Sequence, residues 1–331
     1  MAWKRARHSF EAFLCRLGFA FLPWLPYPVL LFLAKILGLG AFYFAGSERR
    51  VALANLNLAL GHTHSGAQRR HIARACFQSF ARTALESLAS SRLERDGLEK
   101  RFEFSPGSLD LLAQLTARNQ GLIALTFHYG NWEWLSLAWG MAGYPATAVA
   151  QPIKNPKVEE IFRQTREQAG HQLIHRKNAA RQLYKSLKRR EIIGLLVDLN
   201  SSIDEGGAFY PFFGLPVLTT RAVGLLAMRT GAPIVCSIAY PQEDGRYRIE
   251  IGPEIPYDPR NDMETEMDAI TFRWLAHCEE VIRRRPEFWM WMYKRWKVRP
   301  KPEAQSYPFY SFYDPQMERS GKLKLRMPAA S

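Results

Sequence analysis

Residues 126–134 (TFHYGNWEW) contain the side chains best suited to move a proton at neutral pH. His128 follows an apolar run, 121–127 (GLIALTF), that reads as a buried strand, and it precedes a helical pattern over 133–141. Such a junction stands at the carboxyl edge of a sheet, where open α/β folds hold their ligands. Glu133 falls in the first turn of the helix, where the helix dipole favours a carboxylate. A turn between the two would bring that carboxylate to the imidazole, keep one ring nitrogen protonated and leave the other free to accept a proton. Gly130 permits the tight turn, and Asn131 has the chemistry of a helix N-cap. Each of these residues also fits a purely structural role, because strand-end histidines and first-turn glutamates are common without any chemistry. No serine occupies a G-x-S-x-G elbow, the signature of many serine hydrolases.

The elements that must position His128 follow from the rest of the pattern. Strands are predicted over 121–127, 146–150, 192–197, 233–240 and 246–251. Helices are predicted over 133–141, 156–169, 178–190, 219–230 and 262–285, the last stopped by Pro286. This alternation predicts an α/β fold with a mixed, largely parallel sheet flanked by helices. Upstream, two amphipathic helices between Ser47 and about Leu93 are separated by the turn-rich stretch 61–66 (GHTHSG). The chain divides into an N-terminal apolar helical membrane-anchoring segment (1–46), an α/β domain (47–300) and an extended C-terminal tail without periodicity (301–331).

Between Arg16 and Glu48 the only charged residue is Lys35, and Pro23, Pro26 and Pro28 break the apolar run into two pieces. Basic residues flank it on both sides. The pattern predicts a membrane anchor, either one span or helices lying in the interface, with a buried helical hairpin as the alternative. The 331 residues carry 45 Lys+Arg against 31 Asp+Glu, a formal net charge of +14 that calls for an anionic partner. Between Arg283 and Lys301 eight basic residues face the single acid Glu287 and interleave with Trp289, Trp291 and Trp296. That mixture suits an anionic membrane surface or an acidic carrier protein. No helix-turn-helix, zinc-finger or RNP pattern supports nucleic acid. Cys15, Cys76, Cys236 and Cys278 form no CxxC pair, which argues against a zinc site and a disulfide framework and for a reduced, cytosol-facing domain.

HYGNWE resembles the H-x4-D/E motif of the lysophospholipid acyltransferase superfamily, and its context is most similar to the bacterial late (lauroyl/myristoyl) acyltransferases of lipid A biosynthesis. The resemblance runs over roughly 16–297. Residues 50–60 (RVALANLNLAL) resemble an R-x4-N-L element, 166–170 (REQAG) an R-x3-G helix end, and 198–214, ending in YPFFG, a D-x(n)-F-F-G loop. Residues 285–297 (RPEFWMWMYKRWK) resemble the branch's P-E…W…R-W-K signature. The resemblance implies transfer of a fatty acyl chain from an acyl carrier protein thioester to a hydroxyl of a lipid A-type glycolipid precursor. No covalent acyl-enzyme, metal or cofactor is implied, and the setting would be the cytoplasmic face of a bacterial inner membrane. His128 would be the catalytic base and Glu133 the acid that orients it. Substrate-binding roles fall to Asn131 as an oxyanion donor beside backbone N–H groups, Arg166 as a clamp on the acceptor phosphate, and Arg295. Phe213 and Gly214, with Phe212, would shape the acyl channel. Asp198 is either a substrate contact or a residue that caps the next turn or pairs with an arginine. Leu199 stands where the branch usually has Gln, which leaves open a lysophospholipid or aminolipid acceptor. A catalytically silent membrane-binding scaffold is the remaining alternative.

Overall fold

The computed structural model describes residues 13, 16–18, 20–90, 100–150, 155, 163, 167, 170–175, 179–301, 306–315, 317 and 325–327. Its centre is a seven-stranded sheet in the order β1-β9-β8-β2-β5-β3-β4. Strands β2 (Leu122–Thr126), β3 (Ala146–Ala150), β4 (Gln172–His175), β5 (Ile192–Leu196) and β8 (Ile234–Pro241) are mutually parallel. At one edge β9 (Tyr247–Glu254) runs antiparallel to β8, and β1 (Phe102–Phe104) pairs in parallel with β9. The class expected from the sequence is therefore the one found. Two elements lie apart from the sheet. Strands β6 (Ala208–Phe212) and β7 (Leu215–Thr219) form a hairpin, and β10 (Val298–Arg299) pairs with β11 (Phe312–Tyr313).

Period-two alternation sorts the central strands onto two faces. Ile123, Leu125, Ile193, Leu195, Ile234 and Cys236 enter a core shared with helices α2 (Gly46–Leu60), α3 (Gly66–Ala89), α6 (Ala179–Lys188), α7 (Ala222–Thr230) and α8 (Met263–Arg284). Leu122, Ala124, Ile192 and Val235 face the opposite core, built with α4 (Ser108–Ala117) and α5 (Trp132–Met141). Strands covered on both sides read as continuous apolar runs, which is why LIALT and IIGLL were visible in the sequence.

Helix ends follow local chemistry. Ser65 and Gln68 form a reciprocal capping box that starts α3 at the end of the GHTHSG break. Asp262 caps α8 by accepting from the Thr265 N–H, and Pro286 follows its end. The helix expected from 219 begins instead at Ala222, because Leu215–Thr219 is drawn into the hairpin with β6. The helix expected over 156–169 lies outside the described residues except at Arg163 and Glu167. The tail after Pro300 does not simply trail away. Tyr307 donates to the Pro216 carbonyl at 3.0 Å, and the Tyr310 hydroxyl donates to Asn55.

Helix α1 (Tyr27–Phe44) lies along α3. Leu30, Ala34, Gly38 and Phe42 recur every fourth residue and are buried. Gly38 permits the close crossing: a Cβ there would stand 2.4 Å from the Gln78 Cα. On the other side Val29, Phe32, Ile36, Leu37, Tyr43 and Phe44 are exposed, as is Trp24 in the preceding 3-10 turn (Leu22–Trp24). A buried helical hairpin is thus not what the residues form.

Candidate active site

Adjacent parallel strands β2 and β5 pair from Leu122↔Ile192 to Thr126↔Leu196. Two residues beyond that last pair stand His128 and Asp198, so the strand spacing of about 4.8 Å sets them side by side. Nδ1 of His128 lies 2.8 Å from Oδ1 of Asp198. The other oxygen, Oδ2, accepts from the His128 backbone N–H and from the Trp289 indole N–H, both at 3.0 Å. A carboxylate only accepts, so Nδ1 carries the ring proton and Nε2 is left as the acceptor. The two side chains differ in exposure, 14% for His128 against 4% for Asp198. The residues that flank His128 on either side, Phe127, Tyr129, Gly130 and Asn131, are buried.

This corrects the expected assignment. The carboxylate hydrogen-bonded to the imidazole is Asp198, not Glu133, and Asp198 bonds to His128 and Trp289, not to an arginine. Burial disfavours the charged imidazolium, but the Asp198 charge, its hydrogen bond and the nearby Glu133 charge outweigh that cost and raise the His128 pKa above its usual value. Burial likewise opposes ionisation of Asp198, yet His128 and the N–H donors bring its pKa below the usual carboxylate value. The pair is held charged-capable from both sides, with Glu133 contributing through its charge.

The turn that carries His128 is fixed by backbone bonds. Met290 N–H donates to the His128 carbonyl at 3.2 Å, Gly130 N–H to Phe288 at 2.9 Å and Asn131 N–H to Ala239 at 2.9 Å. Thr83 donates to the Gly130 carbonyl at 2.8 Å. Gly130 has φ +58°, and a Cβ there would lie 1.9 Å from the Ala239 oxygen, so a side chain has no room. Asn131 is the N-cap that the sequence suggests, accepting from the Trp134 N–H at 3.0 Å. Its amide donates to Glu86 at 2.9 Å. Full burial turns this side chain away from any substrate, so the expected oxyanion role is withdrawn, as it is for the engaged Gly130 and Asn131 N–H groups.

Glu86 was not singled out in the sequence. It is fully buried, and beside Asn131 it accepts from Tyr27 (2.6 Å), Arg82 (2.8 Å) and Tyr247 (2.5 Å). One carboxylate thereby joins the start of α1, helix α3, strand β9 and the turn that carries His128. A glutamate in a helical pattern carries no sequence signal of that burial; its only hint is the neighbouring apolar period of α3.

Compared with known proteins, residues 4–298 match the bacterial lipid A biosynthesis acyltransferases as a family. The chain belongs to that family. It is similar to the lipid A biosynthesis palmitoleoyltransferase of Escherichia coli K12, at 27% identity over 287 residues covering 86% of this chain and 90% of the relative. The lauroyltransferase of the same strain is 25% identical with the same coverage, and its myristoyltransferase is 25% identical over 82% of this chain and 83% of the relative.

The other segments that resemble this acyltransferase family support the dyad from behind. Asn55 of the R-x4-N-L element donates to the carbonyls of Trp291 and Tyr293, each at 2.8 Å. Phe213 and Gly214 both have positive φ (48° and 80°) and form the two-residue turn of the β6–β7 hairpin. Phe212 and Phe213 pack on each other and on the tryptophans: Phe212 on Trp289 and Trp296, Phe213 on Trp291 and Trp296. Trp289, Trp291 and Trp296 are buried, so they form core and not the headgroup platform expected of them. Arg295 is also buried; it donates to Asn200 and Leu218 at 3.0 Å and to Thr219 at 2.6 Å. Burial lowers its pKa against the opposing pull of Asp198. It is a strut between the tryptophan segment and the hairpin, and its expected substrate contact is corrected. Arg166 lies outside the described residues. Among the described residues no group of three or more His, Cys, Asp or Glu could hold a metal.

Proposed function

We propose that this acyltransferase moves a fatty acyl chain from an acyl carrier protein thioester to a hydroxyl of a lipid A-type glycolipid precursor, at the cytoplasmic face of a bacterial inner membrane. The observation that carries the chemistry is an imidazole with Nδ1 on a buried carboxylate and 14% of its side chain still exposed. Nε2 of His128 removes the proton from the acceptor hydroxyl as its oxygen attacks the thioester carbonyl carbon. Collapse of the tetrahedral intermediate breaks the C–S bond, and the imidazolium returns the proton to the departing thiolate. Asp198 fixes the tautomer and steadies the imidazolium, as the acid does in a Ser-His-Asp triad, but the nucleophile here is the substrate's own hydroxyl. Glu133 adds negative charge beside the ring. The named activities of the relatives, palmitoleoyl, lauroyl and myristoyl transfer, support a medium- to long-chain donor.

Helix α1 is long and apolar enough to cross a membrane. It packs along α3, however, and α3 carries Arg69, Arg70, Arg74, Arg82 and Glu86. A spanning α1 would draw those charges toward the hydrocarbon, so the helix is read as lying in the interface with its exposed apolar side in lipid. Exposed Lys294, Lys297 and Lys301 support docking of an acidic carrier protein. By contrast Arg284 and Arg285 already pair with Glu250 and Glu287.

The test is lipid mass spectrometry on a deletion strain. One secondary acyl chain should disappear from lipid A and return with the wild-type gene but not with a folded His128→Ala variant, whose rate should fall on the order of 10²- to 10⁴-fold. Unchanged lipid A with a changed phospholipid profile would reassign the acceptor. Restoration by His128→Ala would end the mechanism.

A further inference from the structure

Three rings step from the outer surface to the catalytic imidazole. Phe80 on α3 keeps 43% of its surface exposed. Its ring lies 6.2 Å from that of Trp132, at the start of α5, and Trp132 meets the His128 ring at 4.9 Å with the planes 63° apart. Trp132 is unlike the other tryptophans near the site. Trp134, Trp139, Trp274, Trp289, Trp291 and Trp296 are buried; among the described residues only Trp24 and Trp132 keep accessible surface. The spacing is held by hydrogen bonding and packing. Thr83, one turn beyond Phe80, donates to the Gly130 carbonyl, and Phe77, one turn before it, packs edge-on against Phe42 of α1. The pair therefore lies between the crossing of α1 on α3 and the base.

We propose that Phe80 and Trp132 form the port through which the hydrocarbon chain of a lipid substrate reaches His128. The inference rests on the acyl-transfer reading and gives it a direction of approach. A hydroxyl or thioester at Nε2 must be reached while its methylenes stay out of water, at a cost that grows with every carbon left exposed. The Nδ1 side of the imidazole is closed by Asp198, itself bonded to Trp289, whereas the ring of Trp132 against the imidazole is only partly buried. Phe80 extends that surface outward toward the helix whose other side is read as lying in lipid.

The competing role for Trp132 is to stabilise the imidazolium through its ring face, and the two roles separate by measurement. Steady-state transfer is followed for Phe80→Ser, Trp132→Ala and Trp132→Phe with butanoyl and dodecanoyl carrier-protein donors, and with acceptors bearing or lacking their ester chains. With long chains Phe80→Ser and Trp132→Ala should raise KM about tenfold with kcat within about twofold, the loss should vanish with the short chain, and Trp132→Phe should restore most of it. Whether the loss follows donor or acceptor length tells which chain uses the port. A loss independent of chain length, or a shifted acid limb in the pH profile, overturns the proposal. In parallel, wild-type protein is irradiated on anionic phospholipid vesicles containing a diazirine-labelled fatty acyl lipid. Adducts at Phe80 and Trp132 support the port even if no turnover is found, which would sink the acyl-transfer reading alone. Adducts confined to α1, with wild-type turnover intact, sink the port and leave that reading standing.

Discussion

The turn that carries His128 and helix α1 use the same device and reach different ends. In both, a glycine is pressed against the backbone of another element: Gly130 against Ala239 and Gly38 against Gln78. The turn around Gly130 is tied down by β8, by Phe288 and Thr83, and by Met290 on the His128 carbonyl. Around α1, among the described residues, one side is packed on α3 and Phe32 on the other is 60% exposed. The lesson concerns what each region must do. A base needs one position, so all its neighbours over-determine it. A surface proposed to meet a fluid phase would need only orientation, so one fixed side would suffice.

The largest expected effect tests the over-determined region. Asp198→Asn should lower kcat/KM about 10³-fold, because the amide can favour the wrong tautomer and cannot balance an imidazolium. Normal turnover in a folded Asp198→Asn protein would break the comparison at its centre. Next, Gly130→Ala should cost about 3 kcal/mol of stability from the clash and the positive φ together, read as a lowered urea midpoint. Equal stability would show that the turn is softer than its contacts imply. The half-fixed helix should behave otherwise. The double change Phe32→Glu with Ile36→Glu should leave thermal unfolding nearly unaltered and reduce vesicle flotation more than tenfold. If the protein unfolds instead, that side is core.

The smallest effect concerns the second carboxylate. As the proposed base, His128 would act only when neutral, and its pKa lies above the usual imidazole value of about 6.5. Activity should therefore fall as pH drops through a midpoint above that value. Glu133→Gln removes one of the charges that raise it, so the acid limb should move to lower pH while the plateau rate changes by about tenfold or less. An unmoved limb would reduce Glu133 to a first-turn residue of α5.

Much of this geometry was legible in the sequence, and the parts that were not share one cause. The runs LIALT and IIGLL announced buried parallel strands, and His128 and Asp198 could each be seen directly after one of them. Choosing Glu133 as the partner followed nearness in sequence, whereas the real partner is 70 residues away and is set by strand order and register. Trp289, Trp291 and Trp296 read as an interfacial mixture because they alternate with cations. Their burial depends on the hairpin turn at Phe213–Gly214 and on Asn55, neither of which a local pattern relates to them. The N-cap role of Asn131 was recoverable because capping is local; its engagement with Glu86 was hidden because that contact is not.

The long reach of those contacts has a consequence for how the protein is made. Asn55 is joined to Tyr310 across 255 positions and to the Trp291 carbonyl across 236. At about 5–20 residues per second of synthesis, these partners emerge on the order of ten seconds or more after α1 has left the ribosome. The apolar helix is thus exposed while the Asp198–Trp289 bond cannot yet exist. On the proposed reading of α1 as an interfacial helix, seating at the membrane would precede catalytic competence in the life of each molecule.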